Sequence, residues 1–200
     1  MAKVSVIFVI YEAERYIRRV FDAVLNQTHA DLEIIAVINK STDGGREEIR
    51  NNYPQVKILD PGRNLGFAEG NNAGILAARG EFIKLVNQDM ILEPTYIEEL
   101  LKAFADPQVA AATGKLLRYD FETNEKTKII DSTGVTMPAS GRARDRGQTQ
   151  IDAGQFDGHP DVFAVSGAAP MYRRTALEKV RYKQEYFDQD FFMYWEDVDL

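Results

Sequence analysis

Residues 3–38 read KVSVIFVIYEAERYIRRVFDAVLNQTHADLEIIAVI, and the spacing of apolar residues changes twice along them. Lys3 to Tyr11 is a β-branched, apolar run that predicts a buried strand. Over residues 13–27 the period shifts. Ile17, Val20, Phe21, Val24 and Leu25 fall at i, i+3, i+4, i+7 and i+8, one face of a helix. Leu32 to Ile38 is a second continuous apolar run. Strands that are apolar throughout, rather than alternating, belong to parallel sheets covered on both faces. The pattern continues outward: Val56 to Leu59, Glu81 to Val86 and Val109 to Leu117 predict further strands. A short helix through Arg50 follows Asp43-Gly44-Gly45, and Gly70 to Arg79 and Tyr96 to Phe104 predict two more. Pro94 sits where the first turn of a helix tolerates proline. Strand and helix in alternation predict an α/β fold built from β-α-β units. Such sheets take ligands at the carboxyl ends of their strands. Chemistry is therefore sought just after Tyr11, Ile38, Leu59 and Val86.

Composition narrows the functional classes. The chain has 200 residues, 44% of them hydrophobic and 28% charged, which suits one folded domain with no need of staples. A net charge of -7 gives no basic face for general nucleic-acid binding. Cysteine is absent, which excludes disulfide frameworks, thiolate zinc sites and cysteine nucleophiles, and fits a reducing cytoplasm. Only His29 and His159 are available for histidine chemistry. No apolar run reaches the roughly 18 to 20 residues of a membrane helix. Val4 to Ile10 is short and runs into Glu12, Glu14 and Arg15, so it does not read as a signal peptide. The second half is less regular. Ser140 to Gln150, with Arg142, Arg144 and Arg146 on alternate positions, reads as a mobile loop. Val162 to Ala169 predicts a strand and Thr175 to Val180 a short helix, and the last residues are rich in aromatics and acids.

Several motifs bear on chemistry. Tyr11-Glu12-Ala13-Glu14 stands where a dinucleotide-binding glycine fingerprint would follow the first strand, and no P-loop occurs. Asn87-Gln88-Asp89 leaves the fourth strand with hard oxygen ligands suited to Mg²⁺ or Mn²⁺. The same residue types also simply make turns. Asn64 to Gly74 combines glycines with paired asparagines, which suits a helix start beside a nucleotide or sugar, or a loosened loop entering a helix. Glu196-Asp197-Val198-Asp199 follows the aromatic run Phe191 to Trp195. It can supply a general base against an aromatic wall, or acids that stabilise a helix N-terminus.

Val4-Ser5-Val6-Ile7, Gln27-Thr28, Ser41-Thr42-Asp43-Gly44, Asn64 to Gly74, Gly80-Glu81-Phe82-Ile83, Asn87-Gln88-Asp89, Ser166-Gly167-Ala168-Ala169, Arg173-Arg174 and Phe191 to Leu200 occur in a set order. In that order and spacing the chain resembles the family 2 glycosyltransferases, nearest to their bacterial rhamnosyltransferase-like branch. The resemblance implies a Rossmann-like, mixed but mainly parallel sheet with helices on both faces, the glycosyltransferase A-type fold. It implies one domain over residues 1–200, with residues 1–117 binding a nucleotide-sugar donor and residues 118–200 forming the acceptor and catalytic half. The family continues past the position of Leu200 with a helix and a histidine-bearing segment, so that half is expected to be incomplete. The implied reaction is transfer with inversion from a nucleotide-diphosphate-sugar to a glycan or lipid-linked saccharide, in cell-wall or polysaccharide biosynthesis. It is expected in the cytoplasm or at the inner face of the membrane.

By the same resemblance Asp89 is the metal ligand, for Mg²⁺ or Mn²⁺, with Asn87 in the softer first position of its motif. Asp197 is the general base and Glu196 its neighbour on the acceptor side. Tyr11 meets the nucleobase, and Asn64, Gly66 and Asn71 line the nucleotide crevice. Asp43 is expected as a helix cap. Arg142, Arg144 and Arg146 would steer a phosphorylated acceptor or clamp the diphosphate, or form a solvated loop. Three positions depart from the family: Ile38 replaces an acid that contacts the nucleoside, Glu12 replaces an asparagine and Ile10 a threonine. Ile38 and the early stop at Leu200 support the competing reading, a non-catalytic remnant that binds a nucleotide or a partner. A dinucleotide-dependent oxidoreductase has only the α/β pattern behind it.

Overall fold

The computed structural model describes residues 3–200. Its centre is the strand pair read from the opening stretch. β1 (Val4–Ile10) lies parallel to β2 (Leu32–Ile38) along its whole length, from Val4 opposite Leu32 to Ile10 opposite Ile38. The connection runs through α1 (Glu14–Leu25), whose Ile17, Val20, Phe21 and Val24 are buried. After α2 (Gly45–Asn52), β3 (Lys57–Leu59) adds in parallel to the outer side of β2. The chain then returns through α3 (Gly66–Ala77) so that β4 (Phe82–Leu85) lies parallel to the other side of β1.

Alternate strand residues feed two cores. Val4, Val6, Phe8 and Ile10 pack with Phe21, Ile49 and Ile97, the last from α4 (Tyr96–Ala103). Ile7, Ile35, Ile83 and Leu85 pack with Ala68 and Ile75 of α3. The glycine spacing in α3 has a packing cause. A Cβ on Gly70 would lie 2.9 Å from Val9 Cγ1, and one on Gly74 would overlap Ile7 Cγ2. The helix backbone rests directly on β1, which a larger residue at either position would prevent.

Beyond β4 the sheet changes direction. Its order is β3-β2-β1-β4-β10-β5, with β10 (Met171–Arg173) and β5 (Ala111–Ala112) antiparallel to their neighbours. The fold is the expected mixed, mainly parallel sheet between helices. Three expectations need correction. The strand predicted over 109–117 is divided: β5 ends at Ala112, Gly114 N–H donates to the Tyr96 hydroxyl (2.9 Å), and the chain leaves the sheet. It resumes as β6 (Leu116–Asp120), which forms a separate hairpin with β7 (Glu125–Ser132). The segment 162–169 contributes only an isolated bridge from Ala164 to Val135. The loop at 140–150 is partly ordered by pairing of β8 (Val135–Thr136) with β9 (Arg144–Asp145). α5 (Arg174–Val180) follows β10 directly, and α6 (Glu196–Asp199) ends the chain.

Candidate functional site

The carboxyl edges of β1, β2 and β4 are tied together by side chains. Gln88 clamps the main chain of Tyr11: the Tyr11 N–H donates to Gln88 Oε1 (2.7 Å), and Gln88 Nε2 donates to the Tyr11 carbonyl (2.8 Å). The Tyr11 ring stays half-exposed at 49%. Glu12, with φ 49°, donates its N–H to Ser41 Oγ (3.0 Å) and accepts from Thr42 N–H (2.8 Å) and Thr42 Oγ1 (3.0 Å). Asp43 caps two helices at once, accepting from Glu14 N–H (2.7 Å) and Gly45 N–H (3.1 Å). Ile38 is buried in the core beneath this edge.

Asn87-Gln88-Asp89 does make a turn, since Met90 N–H donates to the Asn87 carbonyl (3.0 Å). It also presents oxygen donors. Asn87 Oδ1 is buried without a hydrogen-bond partner, and Asp89 is exposed, with no hydrogen bond or ion pair among the described residues. No group of three or more acids or histidines able to hold a metal occurs among the described residues. The free carboxylate of Asp89 fits an Mg²⁺ or Mn²⁺ bound chiefly through substrate phosphates, not an all-protein cage, while Asn87 lines a different cavity from Asp89.

Asp197 is held by the chain that precedes β10. Its Oδ2 accepts from Gly167 N–H (2.8 Å), and the next residue, Ala168, accepts from Asn87 N–H through its carbonyl (2.9 Å). Asn87 and Asp197 therefore line one cavity of about 550 Å³, with Glu196, Asp145, Arg144 and an aromatic wall of Phe67, Tyr194 and Trp195. Glu196 is only 6% exposed, and its Oε2 has no partner. Burial, then the charge of Asp197, pushes its carboxyl above the usual range. Asp89 faces a second cavity of about 540 Å³ beside Tyr16, Tyr119, Phe121 and Asp131.

The other expected donor residues lie outside both cavities. Asn64 is exposed and its Oδ1 accepts from Gly66 N–H (2.8 Å), while Asn71 is buried and donates within its own helix to the Phe67 carbonyl (2.9 Å). The next two N–H groups of α3, on Phe67 and Ala68, are taken by the Phe192 carbonyl (2.6 and 3.3 Å). Gly66 lies beneath Phe192 with φ +72°. Of the arginine run, Arg144 lines the Asp197 cavity. Arg146 is spent on structure, donating to Thr133 Oγ1 (2.9 Å), the Thr133 carbonyl (2.9 Å) and the His159 carbonyl (2.8 Å).

Sequence reasoning passed over three side chains here. Asp145 was hidden in a presumed loop. Asn72 looked equivalent to Asn71, yet it accepts from Tyr186 N–H and Phe187 N–H (3.0 Å each) and donates to the Phe187 carbonyl (2.7 Å). Lys84, in an otherwise apolar strand, is 0% exposed and donates to the carbonyls of Ala169 and Pro170 (3.3 Å to the latter). Its ammonium stands 4.8 Å from the centre of the Tyr96 ring. It thus anchors the segment that carries Ala168 and Gly167.

Burial pushes the Lys84 amine well below the usual lysine range. The unfolded chain then binds that proton more tightly than the folded chain, so stability rises with pH in the window below about 10.4. Lys84→Met is expected to keep the fold, flatten that rise and speed amide exchange at Gly167. Urea melts at about pH 7 and about pH 9.5, compared with wild type, check the first two effects.

The family profile described as Glycosyl transferase family 2 matches residues 5–181. An uncharacterized glycosyltransferase of Nostoc sp. is 32% identical over 183 residues, covering 89% of this chain and 53% of that protein. The chain thus spans about half the length of the curated relatives it matches. Among solved structures, the mannosyltransferase PcManGT from Pyrobaculum calidifontis, in complex with GDP-Man and Mn²⁺, superposes with a TM-score of 0.66 at 20% identity. That match covers 94% of this chain and 48% of the other. S. aureus TarS 1–349 in complex with UDP gives a TM-score of 0.65 at 18% identity, over 98% of this chain and 52% of the other.

Proposed function

The chain belongs to glycosyl transferase family 2, and on that premise we propose that it transfers a sugar from a nucleoside-diphosphate-sugar to an acceptor hydroxyl with inversion. The observation that carries the proposal is the short bonded path Asn87–Ala168–Gly167–Asp197, which brings the end of β4 and a fixed carboxylate onto one cavity. Asp197 takes the proton of the acceptor hydroxyl. The oxygen then bonds to the anomeric carbon as the bond from that carbon to the diphosphate breaks, and the nucleoside diphosphate leaves. Because Gly167 N–H engages Oδ2, the other oxygen of Asp197 stays available for the proton. Asp89 would hold Mg²⁺ or Mn²⁺ together with the substrate phosphates, with Asn87 lying on the Asp197 side of the same turn, and the cation would supply electrostatic stabilisation of the leaving diphosphate. The exposed Tyr11 ring offers a face to the nucleobase, while Asn64, Gly66 and Asn71 shape the neighbouring helix start.

The GDP-Man, UDP and Mn²⁺ named with the two solved neighbours are consistent with this donor class. No described helix is long and apolar enough to cross a membrane. A glycan or lipid-linked saccharide acceptor, with transfer of a rhamnosyl-type sugar at the cytoplasmic face, completes the proposal. The test is calorimetry with UDP-, GDP- and dTDP-sugars, with and without Mn²⁺. Asp89→Ala is expected to weaken Mn²⁺-dependent binding by at least about tenfold, the lower end of what removing even an outer-shell partner of a metal costs. Binding that ignores both Mn²⁺ and this substitution would remove the metal from the proposal.

A further inference from the structure

Asp197 borders two cavities. Besides the one it shares with Asn87, it lines a smaller one of about 200 Å³. The other side chains of the smaller cavity are apolar, among them Phe163, Val165 and Leu177, with one exception, Tyr172 of β10. Tyr172 is only 4% exposed, and its hydroxyl has no hydrogen-bond partner. It has no freedom to swing away: its backbone pairs with Ile83 of β4 and Ala111 of β5, and its ring meets Phe187 edge-on with centroids 6.1 Å apart. A buried hydroxyl without a partner is costly, and a phenylalanine would fill the same space without that cost. Burial, then the charges of Asp197 and Glu196, push the phenol above its usual range, so it keeps its proton and stands as a donor. Of those two acids, Glu196 lines only the larger cavity, whereas Asp197 lines both. Asp197 already accepts from Gly167 N–H on Oδ2, and a carboxylate has further lone pairs to offer. A cavity of this size has room for a bridging water between two such groups.

We propose that Tyr172 is a positioning residue: its hydroxyl donates across the smaller cavity to Asp197, directly or through one water, and so holds that carboxylate in place and in its charged form. The consequence for sugar transfer rests on the reading of Asp197 as general base, while the hydrogen bond itself does not. The ionisable groups around Asp197 are Glu196 from α6, Tyr194 from the segment before it, Arg144 and Asp145 from β9, and Tyr172 from β10. The two neighbouring acids oppose a negative charge on Asp197, and Arg144 favours it. A hydrogen bond to the charged form also favours it, so Tyr172 offsets the acids from a side that no substrate needs to occupy.

The Gly167 amide is a reporter that needs no substrate, because its N–H donates to Asp197 Oδ2 (2.8 Å). Its proton shift, followed by NMR from about pH 3 to about pH 8, should titrate with Asp197. Asp197→Asn abolishes that titration and so assigns it. Tyr172→Phe keeps the ring against Phe187 and is expected to raise the midpoint by at least about 0.5 unit, since the carboxylate loses a donor to its charged form. Fluorination of the ring at Tyr172 makes the hydroxyl a stronger donor, so 3-fluorotyrosine incorporated there is expected to lower the midpoint. That measurement stands even where Tyr172→Phe fails to fold. A midpoint unmoved or lowered in folded Tyr172→Phe, or unmoved or raised by fluorination, overturns the proposal. So does a gain in urea stability in Tyr172→Phe with the titration unchanged, the result of deleting an idle hydroxyl. Hydrolysis of UDP-, GDP- and dTDP-sugars by the same variants tests the base role separately. In Tyr172→Phe its acid limb should move up with the Gly167 midpoint. A raised midpoint beside hydrolysis indifferent to Asp197→Asn removes Asp197 as the base and leaves the Tyr172 hydrogen bond standing.

Discussion

Asp197→Asn is expected to lower sugar transfer by about 10²- to 10⁴-fold, the range a positioned general base contributes, with donor affinity unchanged. Asparagine has the same shape, and its Oδ1 can still accept the Gly167 N–H that now donates to Asp197 (2.8 Å). The cavity keeps its geometry and loses only the group that takes the proton. Hydrolysis of the donor in the absence of acceptor should fall in parallel, because water is activated in the same way. Asp197→Ala also strands the Gly167 N–H, so the difference between the two variants reports positioning apart from basicity. Asp199→Asn, at an exposed position on the same turn, is the matched control and should be silent. Single-turnover rates and donor calorimetry decide the matter. Full turnover in Asp197→Asn removes the residue from the base role, and a parallel loss of donor affinity makes it a donor ligand instead.

Gly66→Ala is expected to cost about 2–4 kcal/mol of stability, and Gly62→Ala only about 1 kcal/mol. Both glycines have φ +72°, so both substitutions carry the same left-handed penalty. At Gly62 the new methyl meets nothing within 4 Å. At Gly66 it would lie 2.5 Å from Phe192 Cδ2 and 2.6 Å from the Phe192 carbonyl oxygen. That carbonyl caps the start of α3, so the clash also threatens the N–H groups of Phe67 and Ala68. The surplus over Gly62→Ala measures how firmly the 191–195 segment is seated on α3. Urea melts give the two stabilities, and a shift in Trp195 emission in Gly66→Ala alone reports displacement of the segment. Equal costs would mean that Phe192 does not rest on Gly66 in solution.

What could be read in the sequence follows from the range of the forces involved. The β1–α1–β2 unit is legible because burial on both sheet faces writes itself into local apolar spacing, as Ile17, Val20, Phe21 and Val24 show. β10 is only three residues long and follows Pro170, so no periodicity marks it, and its antiparallel direction depends on partners far away in sequence. The strand expected over 109–117 fails for the same reason: Tyr96, from α4, takes the Gly114 N–H and ends it. In the site, Asp89 and Asp197 stand out by motif. The Gly167 N–H that fixes Asp197, and the location of Asp145, arise only from tertiary contact. Asn71 and Asn72 are adjacent and chemically identical, and helix phase alone turns one toward its own helix and the other toward Tyr186 and Phe187. Lys84 was invisible because an amine in a run such as Phe82-Ile83-Lys84-Leu85 looks like a lapse in the pattern until the carbonyls it meets are known.

The Gln88 amide acts as a rivet between the two sheet edges it joins. With the backbone of Tyr11 fastened to the turn that bears Asp89, neither can shift alone. A displacement of the turn that carries Asp89 is therefore handed on to the Tyr11 backbone, and the two travel as one piece.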